Sequence, residues 1–207
     1  MRIGIIGSGH IGGTLARSWA RAGHEVALAN SRGPESLAGL VGEIGPNAHA
    51  ATPAEAADFG EVVLLAIPFG GYEALPFDHM AGKIVIDAMN YYPERDGQID
   101  TQTFTSSEQL ALRLPAARLV KAFNTIYYET LASKGRPDAP LDDRLVIFVA
   151  GDGPDDKALV AGLIQEIGFA PVDTGSLHEG SRKQRPGSPI YNRPMHSEQA
   201  KELLPGA

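Results

Sequence analysis

The stretch "MRIGIIGSGHIGGTLARSWARAGHEVALANSRG" (residues 1–33) decides the fold. An apolar run begins at residue 2, and the glycines Gly7, Gly9 and Gly12 follow it at once. Ile11, Leu15 and Trp19 then recur on one helical face before a second apolar run, "EVALAN" (25–30). Strand, glycine turn, helix and strand in that order give the context in which G-x-G-x-x-G carries meaning. Gly7 permits the tight turn, Gly9 lets main chain approach a pyrophosphate, and Gly12 lets helix pack on strand. The amides at the helix N-terminus then face an anion, so the spacing predicts a dinucleotide site. His10, inside the loop, reads as a solvent-facing residue.

"NSRG" at the end of this stretch chooses between dinucleotides. An NAD enzyme places a carboxylate on the ribose hydroxyls about twenty residues past the glycine motif. Here Asn30, Ser31 and Arg32 stand at that point. No acid is present to repel a 2′-phosphate, while a hydroxyl and a guanidinium can bind one, so the expected cofactor is NADP(H).

The rest of the chain repeats the alternation. "EVVLLAI" (61–67), "KIVIDA" (83–88), "RLVKAF" (118–123) and "RLVIFVA" (144–150) read as strands, with "FAPVDT" (169–174) a weaker one. Their near-continuous apolar character marks strands buried on both faces. Leu37, Leu40, Val41 and Ile44 share a helical face. "GPDDKALVAGLIQEIG" (153–168) has Pro154 at a first helical position, Asp155 and Asp156 at the positive end of the dipole, and Gly168 as its stop. The expected fold class is a single-domain α/β protein with a doubly wound, mainly parallel sheet of the Rossmann type. The expected division is a nucleotide-binding domain over residues 1–175 and a polar, Pro- and Gly-rich tail over 176–207 that covers the cleft or forms a dimer contact.

Composition limits the candidates. The chain has 207 residues, 43% hydrophobic and 21% charged, with a net charge of −7. That acidity disfavours nucleic acid and anionic membranes as partners. With no cysteine there are no disulfides, thiol nucleophiles or thiolate metal sites, and no metal is expected. A basic-then-apolar leader and a bilayer-length apolar run are both missing from the sequence, so a soluble, cytoplasmic protein is expected.

Strands of such a sheet meet ligands at their C-terminal edges. There "LLAIPFGG" offers Ala66, Ile67 and Pro68, "IVIDAMN" offers Asn90, and "VKAFNTIY" offers Asn124. Ile67 and Pro68 are suited to pack beneath a nicotinamide ring, with Asn90 or Asn124 bonding its carboxamide. No Ser/Tyr/Lys triplet at short-chain dehydrogenase spacing stands out, as neither "YY" at 91–92 nor that at 127–128 is followed by a lysine four residues on. Hydride transfer to a flavin-type ring depends mainly on stacking, whereas a carbonyl needs a proton donor.

Taken together, "GIIGSGHIGGTLA", "ANSRG", "LAIPF", "VIDAMNYY", "VKAFNT", "FVAGD" and "VDTGSLHEGSRKQRPGSPIY" resemble the NADP oxidoreductase, coenzyme F-420-dependent family, and the reductase domains of STEAP-type metalloreductases are similar. The resemblance extends to about Tyr191. It implies that Ser8, Gly9, His10 and Ile11 lie along the phosphates and Ser31 and Arg32 on the 2′-phosphate. It further implies that Ile67 and Pro68 flank the nicotinamide, and that Asn90 and Asn124 line the catalytic pocket for a small-molecule hydride acceptor. A deazaflavin or flavin co-substrate and a homodimer are expected. The chain departs from the family's deazaflavin reductases at Asn124-Thr125, where they carry His-Thr, so the acceptor stays open. The alternatives are an NADPH-dependent reductase of another small molecule and a non-catalytic NADPH sensor. The basic cluster Arg182, Lys183 and Arg185 reads as a solvated loop or a contact for an anionic part of the acceptor.

Overall fold

The computed structural model describes residues 1–204, and in it the first βαβ unit forms as the glycine spacing predicts. β1 (Arg2–Ile6) runs into Gly7, whose φ of 117° suits glycine alone, and α1 (His10–Arg21) leads to β2 (Glu25–Ala29). The chain continues through α2 (Ala38–Ile44), β3 (Ala48–Ala50), α3 (Pro53–Phe59), β4 (Val62–Leu65) and β5 (Ile84–Asp87). Next come α4 (Pro93–Asp96), α5 (Ser106–Arg113), β6 (Arg118–Ala122), α6 (Tyr128–Ser133) and β7 (Val146–Gly151). The described chain closes with α7 (Pro154–Glu166), β8 (Ala170–Asp173), α8 (Leu177–Lys183) and α9 (Ser197–Leu203).

The strands form one sheet in the order β3-β2-β1-β4-β5-β6-β7-β8. All neighbours are parallel except β6 and β7. The chain winds outward from β1 in both directions, which opens a crevice above β1 and β4. Register sets what faces that crevice. Ile6 lies opposite both Ala29 and Leu65, so Gly7, Asn30 and Ala66 leave the sheet at one level. Asp87 lies opposite Lys121, which brings Asn90 and Asn124, each three residues further on, to one level as well.

Helices cover both faces, which is why the strands are apolar on both sides. On one face Ile3, Ile5, Leu15, Trp19, Val160 and Ile164 pack together. Trp19 is fully buried, donates its indole N–H to the Leu163 carbonyl at 3.2 Å, and meets the edge of Phe123 at 5.7 Å. Ile6, Val63, Leu65, Ala56, Phe69 and Leu110 form the other face. A third cluster joins Val146 and Phe148 to Ile190, Met195, Ala200 and Leu204, so residues 176–204 lie against the same sheet. Residues 205–207 of the tail segment lie outside the described residues.

Three elements go beyond the sequence reading. β3 is short and pairs only with β2. α3 and α5 each start with a Thr-x-x-Glu capping box, Thr52 with Glu55 and Thr105 with Glu108, in which the threonine hydroxyl accepts from the glutamate N–H and the carboxylate accepts in return. Among the described residues no helix is long and apolar enough to cross a membrane.

Candidate active site

Two clefts of about 450 Å³ each open along the C-terminal edge of the parallel strands. One is lined by the glycine turn, Asn30, Ser31 and Arg32, the other by His10, Asn90, Asn124 and several tyrosines; both include Ala66, Ile67 and Pro68. They therefore adjoin across the tops of β1 and β4 as the two ends of one trough, with the exit of β4 lining both.

The glycines of the turn divide their work. A Cβ on Gly7 would lie 2.3 Å from the Ala66 carbonyl oxygen, and one on Gly12 would lie 1.8 Å from that of Gly7. These two let α1 seat against β1 and β4. A Cβ on Gly9 would meet nothing within 4 Å, so the space beside it opens into the trough. The Gly13 N–H donates to the Gly9 carbonyl at 2.8 Å, which leaves the amides of His10, Ile11 and Gly12, at the positive end of the helix, without an intrahelical acceptor.

Asn30 is buried, and its side chain is engaged within the protein. It donates to Ser8 Oγ at 3.2 Å and Ser36 Oγ at 2.9 Å, and its Oδ1 accepts from the Arg32 N–H at 2.8 Å. That clamp turns Ser31 and Arg32 outward on the rim of the first cleft. Among the described residues the Arg32 guanidinium has no partner.

At the other end Asn90 and Asn124 interlock. Asn124 Nδ2 donates to Asn90 Oδ1 at 3.1 Å and to the Gln184 carbonyl at 2.8 Å, while Asn90 Nδ2 donates to the Asn124 carbonyl at 2.7 Å. Asn124 Oδ1 is buried without a partner. Phe123, immediately before it, has a φ of 66°, a left-handed conformation that costs a bulky residue on the order of 1–3 kcal/mol. Its ring is fully buried against Trp19, and that packing offsets the strain. The strain thus serves to turn Asn124 at the end of β6.

Beneath these two asparagines a buried ion pair fixes the exit of β5. Lys121 Nζ donates to Asp87 Oδ2 and to the Met89 carbonyl, both at 3.0 Å, and Asp87 also accepts from Ser107 Oγ at 2.7 Å and the Met89 N–H at 2.9 Å. With both members almost fully buried, the pair depends on these extra hydrogen bonds.

The aromatic walls of the second cleft escape a reading from sequence. Tyr92, Tyr127, Tyr128 and Tyr191 line it together with Arg95. His10 lies at the first turn of α1 rather than in a loop, and its exposed ring stacks on Tyr128 of α6 at 4.1 Å. The Tyr92 and Tyr191 hydroxyls bond to each other. Burial, and then Tyr92, push the Tyr191 phenol above its ordinary range. Arg95 lies over the Tyr92 ring at 4.9 Å and is held by Asp96 and the Asn90 carbonyl. The only signal in the sequence was position, since "NYY" and "NTIYY" follow strands whose exits face the crevice.

The basic cluster is mostly internal. Arg182 pairs with Glu108 at 2.8 Å and donates to the His178 and Thr103 carbonyls, and Lys183 donates to the Thr174 carbonyl at 3.0 Å. These bonds fasten α8 to α5 and β8. Arg185 stays exposed, beside a smaller cavity of about 300 Å³ that Asn90 and Tyr92 also line.

Comparison with known proteins adds the following. A family model described as NADP oxidoreductase, coenzyme F420-dependent, matches residues 2–91. The metalloreductase STEAP3 of Rattus norvegicus is 32% identical over 178 residues, covering 85% of this chain and 34% of that protein; the chain thus spans about a third of its length. A hypothetical protein from Sinorhizobium meliloti superposes with a TM-score of 0.79 at 32% identity over 95% of each chain. A protein from Arthrobacter sp. FB24, described as an F420-dependent NADP reductase, does so with a TM-score of 0.73 at 27% identity, covering 99% of this chain and 90% of that one. An imine reductase from Pseudomonas sp., at 20% identity and a TM-score of 0.64 over 86% of this chain and 57% of that one, shares the fold.

Proposed function

We propose, from the family-model match over residues 2–91 and the likeness to the relatives above, that the chain is a member of the NADP oxidoreductase, coenzyme F420-dependent family and transfers hydride between NADP(H) and a flavin or deazaflavin acceptor. The observation that carries this reading is the pair of adjoining clefts, one lined by Gly9 and Arg32 and suited to an anion, the other lined by Asn90, Asn124 and the tyrosines. The two clefts meet at Ala66, Ile67 and Pro68.

The residues fit the cofactor. Gly9 leaves room for close backbone approach, and the unused amides of α1 suit a pyrophosphate. Gly7, Ser8, Gly9, His10, Ile11 and Gly12 would hold the phosphates; Ser31 and Arg32, presented by Asn30, would hold a 2′-phosphate. Ala66, Ile67 and Pro68 would support the nicotinamide, beside Asn90 and Asn124. When bound, NADPH supplies the hydride. The chain's own contribution is positioning, because stacking two rings at contact distance removes most of the entropy from the encounter. Asn90 and Asn124 line the reacting space without acting as acid or base, and the tyrosine walls suit a flat aromatic acceptor. The acceptor end is open to solvent, and we take a second copy of the chain, with the segment after residue 176 at the contact, as its cover.

Anaerobic NADPH oxidation against riboflavin, FMN, FAD and a 5-deazaflavin tests this. Turnover above the uncatalysed rate with at least one of them is expected. Tight NADPH binding with no flavin or deazaflavin reduced would instead favour the sensor.

A further inference from the structure

Tyr92 and Tyr191 come from distant parts of the chain, one after β5 and one after α8, yet their hydroxyls meet inside the acceptor end of the trough. Asn90 Nδ2 faces Tyr191 Oη at 3.4 Å. The orientation of that amide is set independently, since Nδ2 donates to the Asn124 carbonyl and Oδ1 accepts from Asn124 Nδ2; the flipped amide would set oxygen against oxygen and N–H against N–H. Tyr191 accepts from Asn90, and the tyrosine pair uses one of its two hydroxyl protons for the mutual bond. One hydroxyl proton is left over, and we assign it to Tyr92, which among the described residues has no acceptor besides Tyr191.

We propose that Tyr92, supported by Tyr191, donates this unspent hydrogen bond to a ring carbonyl oxygen of the hydride acceptor, making Tyr92 a catalytic residue that selects acceptors with a carbonyl conjugated to the reacting ring. The inference rests on the hydride-transfer reading above and deepens it. In the step, the C–H bond of the donor breaks, a C–H or N–H bond forms on the acceptor ring, and the electron pair brings negative charge onto the conjugated carbonyl oxygen. A donor aimed at that oxygen bonds more strongly after the transfer than before it, which lowers the barrier. No proton has to move. Arg95, over the Tyr92 ring at 4.9 Å with its charge paired to Asp96, holds that ring in place. Burial, and then Tyr92, hold the Tyr191 phenol above its ordinary range, so Tyr191 keeps its proton in neutral solution.

The alternative is that the two hydroxyls only bolt the cleft wall together. Steady-state reduction of FMN, 2-thio-FMN and 4-thio-FMN by the unmutated protein, Tyr92→Phe and Tyr191→Phe separates the two, because sulfur is a poor hydrogen-bond acceptor. Tyr92→Phe is expected to lower kcat/KM for FMN roughly 10-fold or more, as a bond to developing charge is lost. With the thio analogue whose sulfur replaces the contacted oxygen, the same substitution should cost less than about 3-fold. Tyr191→Phe should fall between, and the NADPH dissociation constant and Tm should not change in either variant. Quenching of flavin fluorescence with NADP+ present should show a smaller loss of flavin affinity than of kcat. An equal loss with all three flavins, or no loss, would overturn the inference and leave the hydride-transfer reading intact. Failure of the unmutated protein to reduce any flavin would overturn both.

Discussion

Replacing Gly9 by alanine adds one methyl group to open space. Gly9 has φ −72° and ψ −163°, which alanine adopts without strain, and the new Cβ would meet no atom within 4 Å. At such a site glycine to alanine commonly stabilises by about 0.4–1 kcal/mol, through the unfolded chain. Gly9→Ala should accordingly unfold in urea at the same concentration as the unmutated protein or slightly above it. With a pyrophosphate seated on the amides behind Gly9, the same methyl stands in the ligand's volume. Overpacking of that kind costs about 1–3 kcal/mol, or roughly 5- to 150-fold in the NADPH dissociation constant. Gly12→Ala provides the contrast. Its Cβ would lie 1.8 Å from the Gly7 oxygen and 2.9 Å from the Gly7 carbonyl carbon, backbone atoms that cannot swing aside. α1 and the end of β1 would have to separate, with a stability loss of about 3 kcal/mol or more. Urea unfolding and NADPH fluorescence titration of both variants check this. A stable Gly9→Ala protein that binds NADPH as tightly as the unmutated one would refute the view that this turn cradles the pyrophosphate.

Arg32→Asp should weaken NADPH roughly 10-fold or more while leaving NADH little changed, because the guanidinium is exposed and loses no internal partner; equal affinity of the unmutated protein for the two cofactors would defeat the assignment. Lys121→Ala should cost about 3–5 kcal/mol in urea unfolding by stranding Asp87 as a buried, unpaired carboxylate, and a loss under about 1 kcal/mol would mean that Ser107 and the Met89 amide suffice. Burial raises the Glu108 carboxyl pKa, but bonds from Thr105 and His178 and the charge of Arg182 outweigh it and hold the group below its usual range. Its stabilisation is therefore present above the usual carboxylate pKa and is lost as pH falls through the lowered folded value. Tm of the unmutated protein should drop more steeply than that of Glu108→Gln between about pH 5 and 3, and parallel curves would count against the tie between α5 and α8. Pro68→Trp should reduce turnover with NADPH affinity largely kept, read as a fall in kcat without a change in Kd.

What could be read from the chain alone was whatever depends on neighbours in sequence. The glycine spacing, the two-sided apolar strands and the Pro154 to Gly168 helix are local patterns, and local sterics and burial enforce them. The NADP preference at "NSRG" has the same basis, as register places any residue leaving β2 beside the glycine turn. The capping boxes at Thr52 and Thr105 also have a local signature, Thr-x-x-Glu, although the sequence reading passed over them. Tertiary structure decided the rest. Asn30 looked like a ligand residue, and its partners show it to be the clamp that presents Ser31 and Arg32. Arg182 and Lys183 looked like a free basic patch, and they are consumed by Glu108 and by carbonyls. The Tyr92–Tyr191 pair joins residues 99 positions apart, and the Phe123 conformation is held by packing on Trp19. Such features have no sequence period. They arise because a doubly wound sheet brings strand exits from remote parts of the chain to one edge, where each polar group must find its partner among whatever has arrived.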